Sequence, residues 1–466
     1  MLTTSAAELD EATVQKFRAG LRGALLRPGD TQYDTARLLW NGLVERRPAL
    51  IVRCAGTADV IHSLAFARRH ALPLTVRGGG NNVTGRALCD NGLTLDVSLM
   101  KGVRVDPAGR SVRLEAGLTW GELDHETQAF GLATTGAHIS TTGVVGVTLG
   151  GGYGWLMRKY GLAADNLVSA DLVTADGRLL YASAESQPDL LWALRGGGGN
   201  FGVVTSAEYR LHPVGPLVFG GMAFYAAERT AEVLRFYREL TRRAPDELTV
   251  LATLCTAPPA PFVPAELRGA PVAALAVCHC GSPEAAQRDL APLRALGPLV
   301  DRIGPIPYTR LQRLFDAAGV FGRCVHVRSD HLAALNDDLI DTVAQHFAGI
   351  TSPLSVVMIS ALGGAVARVD EHATAFGHRR TAYDIAITAM WTDPRETVLH
   401  RGWADQLWEE LRPHSTGVYV NELGDEGEER LRAAYHPASF ARLAALKQRY
   451  DPDNLFRPSQ NIRPTV

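Results

Sequence analysis

Three glycine-rich segments in the first 205 residues could hold a ligand that carries phosphate groups. They are 77–85 (RGGGNNVTG), 141–154 (TTGVVGVTLGGGYG) and 195–205 (RGGGGNFGVVT). Because glycine has no Cβ, a run of glycines lets backbone N–H groups converge on one concave space, which suits the oxygens of a diphosphate. The alternative is that these segments are turns and closely packed backbone without a ligand.

The third segment contains a literal G-x-G-x-x-G at Gly197, Gly199 and Gly202, but its context excludes a Rossmann-type dinucleotide site. That motif needs a strand before the glycines and a helix after them. Here the pattern predicts a helix over 189–194 before them and a strand over 203–211 after them. None of the three segments ends in the Gly-Lys-Ser/Thr of a Walker loop, so ATP or GTP chemistry is not expected.

The elements around these segments predict an α+β protein. Residues 11–47 are predicted as helix, turn and helix, followed by a strand (49–53), a helix (57–71) and a strand (72–77). After 213–216 the glycine clusters stop, and long strands alternate with amphipathic helices, which suits an antiparallel sheet covered by helices on one face. The predicted strands are 217–226, 247–256, 271–280, 322–328, 353–361 and 382–391; the predicted helices are 227–243, 282–295, 335–347 and 394–412.

Composition excludes several classes of protein. The chain has 466 residues, of which 46% are hydrophobic and 21% charged, with a net charge of -2. These values are typical of a globular protein and argue against a nucleic-acid partner. No apolar run reaches the roughly 18 residues of a membrane span. Residues 1–10 lack the features of a secretory signal and the six cysteines are scattered, so a cytoplasmic location is expected.

The only closely spaced cysteines are Cys278 and Cys280, which flank His279. No second pair of ligands follows at the spacing typical of zinc sites. We therefore expect no metal site.

The order of these motifs resembles the vanillyl-alcohol-oxidase (PCMH-type) FAD-binding superfamily. Within it, the chain is similar to the berberine-bridge-enzyme-like flavin oxidases, including bacterial members that tailor natural products. The resemblance spans almost the whole chain and also rests on 158–162 (RKYGL), 165–166 (DN), 450–456 (YDPDNLF) and 460–462 (QNI).

The resemblance implies a division of the chain into three parts. Residues 1–215 are expected to form a PCMH-type FAD-binding domain of two α/β subdomains, with its core at about 46–215. Residues 216–415 are expected to form a substrate domain with an antiparallel sheet covered by helices. The C-terminal segment, 416–466, is expected to return to the FAD-binding domain.

The resemblance also implies which residues hold the FAD. The diphosphate is expected near 78–82 and 141–146, and the adenine at the backbone of 203–204. The isoalloxazine or ribityl chain is expected near Asn421 and Asn461. The full expected set is Arg77, Gly78, Gly79, Gly80, Asn81, Asn82, Thr141, Thr142, Gly143, Gly146, Gly150, Gly151, Gly152, Tyr153, Gly154, Asp165, Asn166, Gly202, Val203, Val204, Asn421 and Asn461.

Two departures from the family pattern bear on how the FAD is attached. Proteins of this kind commonly link the flavin 8α carbon to a histidine at the position of Asn81, and an amide cannot form that link. Many also use a cysteine just before the second glycine segment, where this chain has 137–140 (AHIS). We therefore expect FAD to be bound non-covalently.

Three residues are candidates for catalysis. Glu422 stands where relatives often carry an aromatic residue, and it is either a general base with a raised pKa or a solvated loop acid. Tyr419, predicted on a strand over 417–421 with its side chain opposite to Val418 and Val420, either transfers or orients a proton or packs in the core. His138 is either a proton shuttle near the flavin or a structural histidine.

The predicted function is an FAD-dependent oxidoreductase that acts on a small hydrophobic molecule, in particular a specialised metabolite. A hydride would pass to flavin N5, with O2 as the acceptor. The strand at 356–360 (VVMIS) either lines the substrate cavity or packs under the covering helices. The alternative function is a non-redox cyclase or isomerase that keeps FAD as a scaffold. Neither a membrane nor a nucleic acid is expected as a partner, and the sequence does not indicate an oligomeric state.

Overall fold

The structure is a computed structural model that describes residues 9–261 and 263–465. Most of the segment 1–10 that was compared with a secretory signal lies outside the described residues. No helix within the described ranges is long and apolar enough to cross a membrane.

The described residues form a mixed fold of helices and strands. The strands are β1 (Ala24–Leu26), β2 (Leu50–Arg53), β3 (Leu74–Arg77), β4 (Leu93–Asp96), β5 (Val103–Asp106), β6 (Ser111–Glu115), β7 (Leu132–Ala133), β8 (Leu167–Val173), β9 (Leu179–Ala182), β10 (Val203–Arg210), β11 (His212–Pro213), β12 (Leu217–Ala226), β13 (Leu248–Thr256), β14 (Pro271–His279), β15 (Val300–Asp301), β16 (Gly304–Pro307), β17 (Cys324–Leu332), β18 (Val356–Ala361), β19 (Tyr383–Trp391) and β20 (Ser415–Gly417). The α-helices are α1 (Glu11–Ala19), α2 (Tyr33–Ala36), α3 (Thr57–Arg69), α4 (Trp120–Gln128), α5 (Val144–Leu149), α6 (Met157–Tyr160), α7 (Ala163–Asn166), α8 (Pro188–Leu194), α9 (Thr230–Arg243), α10 (Pro283–Ala295), α11 (Tyr308–Leu311), α12 (Asp337–Phe347), α13 (Ala365–Arg368), α14 (Thr397–Leu411), α15 (Glu428–Ala433) and α16 (Pro437–Tyr450).

Two larger sheets with one shared hydrophobic core, and a two-stranded sheet of β7 and β11, lie in the first half of the chain. A four-stranded sheet has the order β1-β2-β4-β3, and a five-stranded antiparallel sheet has the order β5-β6-β10-β8-β9. Strands β2 and β3 both run parallel to β4. Helix α3 connects β2 to β3, which is the usual crossover between parallel strands. Side chains of both sheets, such as Val52 and Leu172, belong to one buried cluster.

The prediction of helix, turn and helix over 11–47 was wrong in its second part. The chain forms α1, then the short strand β1, and only one helical turn in α2. Ala24, Leu25 and Leu26 favour helix by propensity, but they pair antiparallel with β2. Leu25 and Leu26 are thereby buried, so tertiary packing overrides local propensity.

The second half of the chain is built on one large antiparallel sheet, here called the large sheet. Its strand order is β15-β12-β14-β13-β18-β19-β17-β20, with β16 paired to β12. The predicted strands are confirmed within a few residues at most ends, although β17 extends beyond the predicted 322–328. Helices α9, α10, α12 and α14 cover one face, as the apolar alternation predicted.

Two of the covering helices begin at residues whose side chains cap the first turn. The side chain of Ser282 accepts a hydrogen bond from the Ala285 N–H, which caps α10. Asn336 caps α12 in the same way through the Leu339 N–H. These caps position the helices whose apolar faces pack on the large sheet.

The strand predicted over 417–421 is wrong for 418–421, since the strand in the structure is β20 over Ser415–Gly417. Strand β20 ends at Gly417, because its pairing with β17 stops there and the chain crosses to the first half. The predicted alternation of side chains is nevertheless present: Val418 and Val420 are buried in the core of the first half, and Tyr419 packs in a separate hydrophobic cluster.

Candidate active site

A cavity of about 990 Å³ lies between the glycine-rich segments and the large sheet. The glycine segments and the following strand β10 form one wall. The uncovered face of the large sheet forms the second wall. Tyr419, Asn421 and Glu422, together with residues 456–460, form the third. The size and mixed lining are those of a site for a small organic ligand.

The first two glycine segments meet at this cavity. A Cβ on Gly79 would lie 2.6 Å from the Gly143 nitrogen, so the two loops can touch only without side chains there. By contrast, a Cβ at Gly146 or Gly199 would meet no protein atom within 4 Å, because both glycines face open cavity. Bare backbone turned toward a large cavity fits a ligand such as the diphosphate of FAD.

Most of the residues expected to hold FAD line the cavity. These are Gly78, Gly79, Gly80, Asn81, Asn82, Thr142, Gly143, Gly146, Tyr153, Gly202, Val203, Val204 and Asn421, and the three catalytic candidates His138, Tyr419 and Glu422 line it as well. The cavity lining does not include Arg77, Thr141, Gly150, Gly151, Gly152, Gly154, Asp165, Asn166 and Asn461.

The glycines of 150–154 pack against protein instead. A Cβ at Gly150 would overlap Asn421 Oδ1, and a Cβ at Gly154 would overlap the Gly136 carbonyl oxygen. Gly152 has a φ of +89°, which favours glycine, and a Cβ there would lie 2.5 Å from Ala163 Cβ. These close approaches place Tyr153, between them, at the cavity.

The polar residues outside the cavity have protein partners. Arg77 Nη1 lies 3.3 Å from Asp96 Oδ1, and Asp165 is paired with Arg379. Asn166 Oδ1 lies 2.7 Å from His212 Nε2. Their contacts connect loops that frame the cavity, which is a supporting role.

Asn461 is the exception among these polar residues. Its Oδ1 is buried and lacks a hydrogen-bond partner among the described residues. The C-terminal segment around it is fixed in place, because the Ile462 N–H donates to Asn200 Oδ1 at 3.0 Å and Gln460 Nε2 donates to the Val420 carbonyl at 2.9 Å.

Two tyrosines stack at the centre of the site. The rings of Tyr153 and Tyr419 have centroids 3.9 Å apart and are tilted by 14°. The Tyr419 hydroxyl accepts hydrogen bonds from the Gly152 N–H at 2.8 Å and from Asn421 Nδ2 at 2.7 Å. Tyr419 is buried, and burial raises its pKa, so it stays a neutral phenol.

Two carboxyl groups meet at the same place. Glu422 and Asp384 both line the cavity, and Glu422 Oε2 and Asp384 Oδ1 have no hydrogen-bond partner among the described residues. Burial raises the pKa of Glu422 to about 7, and burial together with the charge of Glu422 raises the pKa of Asp384 well above its usual range. Glu422 is thus an enclosed acid facing the cavity and not a solvated loop acid.

His138 is the third candidate in the cavity wall. Burial lowers its pKa to about 4, so the ring is neutral near pH 7. The ring lies edge-on to Trp155, with centroids 5.1 Å apart, and its buried Nε2 has no hydrogen-bond partner within the described part of the chain. A free nitrogen at a cavity suits hydrogen bonding to a ligand.

The wall formed by the large sheet is mostly apolar. Val356, Met358 and Ser360 of β18 face the cavity, whereas Val357 and Ile359 pack under the covering helices. Both interpretations of this strand therefore hold, on alternate residues. On β19, the cavity side carries Asp384, Ala386, Thr388 and Met390.

Sequence reasoning missed Asp384 and His331. His331 Nε2 lies 2.9 Å from the Tyr153 hydroxyl and 3.5 Å from Asp384 Oδ1. The single aspartate inside the apolar stretch 383–391 (YDIAITAMW) could have indicated a site residue. A carboxyl group is seldom placed in a buried strand unless it has a partner or a function there. Its pairing with His331 depends on the register of β17 and β19, which the sequence does not show.

Comparisons with known proteins identify the family. A family model described as "FAD binding domain" matches residues 48–183, and a model described as "Berberine and berberine like" matches residues 418–463. The chain is 31% identical to an FAD-linked oxidoreductase of Dictyostelium discoideum, over 97% of each chain. It is 32% identical to (R)-6-hydroxynicotine oxidase of Paenarthrobacter nicotinovorans, over 95% of this chain and 97% of that one.

Solved structures agree with these relatives. A crystal structure of 6-hydroxy-D-nicotine oxidase from Arthrobacter nicotinovorans is 30% identical and superposes with a TM-score of 0.86, over 96% of this chain and 98% of that one. BBE-like 1 of Physcomitrella patens, at 22% identity, shares the fold with a TM-score of 0.87, over 97% and 99% of the two chains. The chain therefore belongs to the berberine-bridge-enzyme-like FAD-linked oxidoreductases of the vanillyl-alcohol-oxidase (PCMH-type) superfamily.

Proposed function

We propose that this enzyme oxidises a hydrophobic small molecule of specialised metabolism at a carbon that bears an O–H or N–H group, with O2 as the final electron acceptor. The observation that carries the proposal is the carboxyl pair Asp384–Glu422, which faces a cavity whose opposite wall is bare glycine backbone. Bound FAD would supply a hydride acceptor at N5.

The protein's part in this reaction is to take the proton. A carboxyl with a pKa near 7 is a usable base at neutral pH, and Glu422 has that property because the cavity walls enclose it. Burial and the charge of Glu422 raise the pKa of Asp384, which favours its protonated form beside an ionised Glu422, and in that form it can donate to the substrate heteroatom. The Tyr419 hydroxyl, fixed by Gly152 and Asn421, orients the reacting group.

FAD would be held without a covalent bond. The Asn81 amide nitrogen donates to the Gly79 carbonyl at 3.1 Å and to the Thr141 carbonyl at 3.3 Å, so the side chain joins the first two glycine segments. An amide nitrogen is not a nucleophile, because its lone pair is delocalised into the carbonyl. Residues 1–215 and 416–466 would hold the cofactor, and 216–415 would hold the substrate.

The apolar side chains of the large sheet support a hydrophobic substrate. Met358, Val356 and Met390 line the cavity beyond the carboxyl pair. A ligand with one polar group at the acids and an apolar body along these side chains matches this wall.

The test mixes the FAD-loaded enzyme anaerobically with three probes, namely 6-hydroxynicotine, benzylamine and benzyl alcohol. Bleaching of the flavin by any of them, followed by recovery of the yellow colour and H2O2 formation with O2, supports the proposal. Product formation without bleaching contradicts it and favours a non-redox cyclase or isomerase. Acid precipitation of the holoenzyme tests the attachment: FAD should stay in the supernatant, and a yellow pellet contradicts non-covalent binding.

A further inference from the structure

A row of four histidines leads from the carboxyl pair to the surface of the protein. The ring centroids of His331 and His378 are 5.2 Å apart, those of His378 and His436 are 5.5 Å apart, and those of His436 and His372 are 6.2 Å apart. Exposure rises along the row: His331 is fully buried, His378 and His436 are partly exposed, and His372 is exposed.

The inner end of the row lies beside Asp384. His331 Nε2 lies 3.5 Å from Asp384 Oδ1 and 2.9 Å from the Tyr153 hydroxyl. Its other nitrogen, Nδ1, is buried and has no hydrogen-bond partner among the residues that the structure describes. Burial, and to a smaller degree His378 and Arg430, lowers the pKa of His331, so the ring is neutral and can accept a proton.

The second histidine is held by an unusual backbone. His378 has a φ of +59°, which is rare for a residue other than glycine, and its Nε2–H donates to the Ala433 carbonyl at 2.7 Å. Since a carbonyl can only accept, a neutral His378 carries its lone pair on Nδ1. A Cβ at Gly417, the residue paired with His331, would lie 2.5 to 2.9 Å from this ring, so glycine is what lets the two imidazoles approach.

The outer end has a proton acceptor at the surface. His436 Nε2 lies 4.0 Å from Glu371 Oε2, and this glutamate also acts on His378, where its charge opposes the lowering of the pKa by burial. The groups that face the row are thus Tyr153, Asp384 and Arg430 at the inner end and Glu371 at the outer end.

We propose that His331, His378 and His436 conduct protons between the Asp384–Glu422 pair and solvent by a route separate from the cavity. This rests on the proposed function, in which the pair takes a proton from the substrate while the substrate fills the cavity. Asp384 gives a proton to His331 Nε2, and His331 gives one from Nδ1 to the lone pair on His378 Nδ1. Because the Nε2–H of His378 stays on the Ala433 carbonyl, this ring passes the proton on to His436 from the same nitrogen. His436 releases one proton to water or Glu371, and each imidazole returns to a neutral form. Imidazole suits this task because one ring both accepts and donates.

The first experiment measures two rates in one anaerobic stopped-flow trace of the FAD-loaded enzyme with 6-hydroxynicotine: flavin bleaching and proton release to phenol red. In the unchanged enzyme the two should coincide. His378→Asn and His436→Gln should each delay proton release relative to bleaching by about tenfold. Asparagine is chosen at 378 because it tolerates a positive φ.

The matched control is His346→Asn. His346 on α12 also bonds a backbone carbonyl, that of Trp403 at 2.8 Å, but it lies outside the row. It should leave the ratio of the two rates unchanged. Proton release that coincides with bleaching in both His378→Asn and His436→Gln overturns the conduit.

A second measurement needs no turnover and separates the conduit from the proposed function. If 6-hydroxynicotine does not bleach the flavin, oxidation of that probe fails, but the conduit is still decided by NMR of the holoenzyme labelled with 15N-histidine. Exchange of the His331 ring N–H with water should slow by about tenfold in His378→Asn and stay unchanged in His346→Asn. Equal exchange in all three proteins overturns the proposal.

Discussion

Arg379 and Asp165 form a bidentate ion pair inside the protein. Arg379 Nη1 lies 2.8 Å from Asp165 Oδ2, and Nη2 lies 2.7 Å from Oδ1. The arginine side chain is fully buried, and Nη2 also donates to Thr374 Oγ1. The Leu162 N–H donates to the same carboxylate at 2.8 Å. This pair ties the loop before β19 to the segment that follows the second glycine cluster.

Asp165→Asn should destabilise the protein strongly, because it leaves the buried guanidinium without its counter-charge. We expect the free energy of unfolding to fall by about 3–5 kcal/mol in urea titrations. The control is Glu428→Gln, which removes an exposed pair with Arg432 at 2.7 Å and should cost less than about 1 kcal/mol. Equal losses in the two variants would show that the buried pair is not what stabilises this junction.

The raised pKa of Glu422 predicts how stability depends on pH. Burial raises this pKa from 4.5 to about 7, so the folded protein holds the proton more tightly than the unfolded chain. The resulting stabilisation is complete below about pH 4.5 and is lost as the pH rises through about 7. Between these limits, the free energy of unfolding of the unchanged protein should fall relative to Glu422→Gln by about 3 kcal/mol.

The measurement is a set of urea titrations of both proteins across this pH range. Asp384→Asn is the second variant, because removing the neighbouring carboxyl leaves Glu422 to titrate in the same enclosed place. It should keep a pH-dependent difference from Glu422→Gln. Parallel pH profiles for the unchanged protein and Glu422→Gln would mean that Glu422 titrates normally.

Two glycines of the second segment should respond to alanine in opposite ways. A Cβ at Gly150 overlaps Asn421 Oδ1, so Gly150→Ala displaces the amide that bonds Val147 and Tyr419 and should cost about 1–3 kcal/mol of stability. Gly146 lies within α5 and faces only the cavity, so Gly146→Ala should leave the cofactor-free fold as stable or more stable, by up to about 1 kcal/mol.

The same pair of variants tests where the cofactor lies. Gly146→Ala should weaken FAD binding by about tenfold in flavin titrations of the cofactor-free protein, because the added methyl group occupies ligand space. The control Gly402→Ala, in α14 with no atom within 4 Å of the added Cβ, should leave FAD binding unchanged. Unchanged FAD affinity in Gly146→Ala would place the cofactor away from this glycine.

Substitutions at two neighbouring residues of β18 should have different effects, one on the stability of the protein and the other on the size of the ligand that binds. Val357→Ala removes buried methyl groups under the helices and should cost about 1–3 kcal/mol. Met358→Ala faces the cavity and should cost less while it enlarges the space for an apolar ligand. Thermal unfolding and binding of benzylamine against its naphthyl analogue measure the two effects. A larger stability loss in Met358→Ala would contradict this assignment of faces.

The sequence predicted the six long strands of the large sheet, since alternating apolar residues report directly which side chains are buried, but it did not predict the short strands β15 and β16. It also predicted the opposite orientation of Tyr419 and its two valine neighbours, although no regular strand continues there. It could not show which glycines border the cavity. Gly146 and Gly150 look equivalent in the sequence, and only the path of the C-terminal segment places Asn421 against one of them.

The two acids, Glu422 and Asp384, show more clearly which contacts cannot be predicted from the sequence. Glu422 was found because it departs from a family pattern, whereas Asp384 lies in an ordinary-looking strand. Its meeting with Glu422 and His331 joins three stretches of chain that are far apart in sequence. Such a contact depends on strand register and on the crossing of the C-terminal segment, and neither leaves a local signal.

The third wall of the cavity has a consequence for biosynthesis. Asn421 and Gln460 lie far after the glycine segments in the sequence, and they close a space whose glycine loops are made much earlier. The binding site is therefore complete only after residues 421–460 have left the ribosome. Flavin loading must therefore follow the synthesis of this closing segment, and any change near residues 456–460 must leave the segment free to dock.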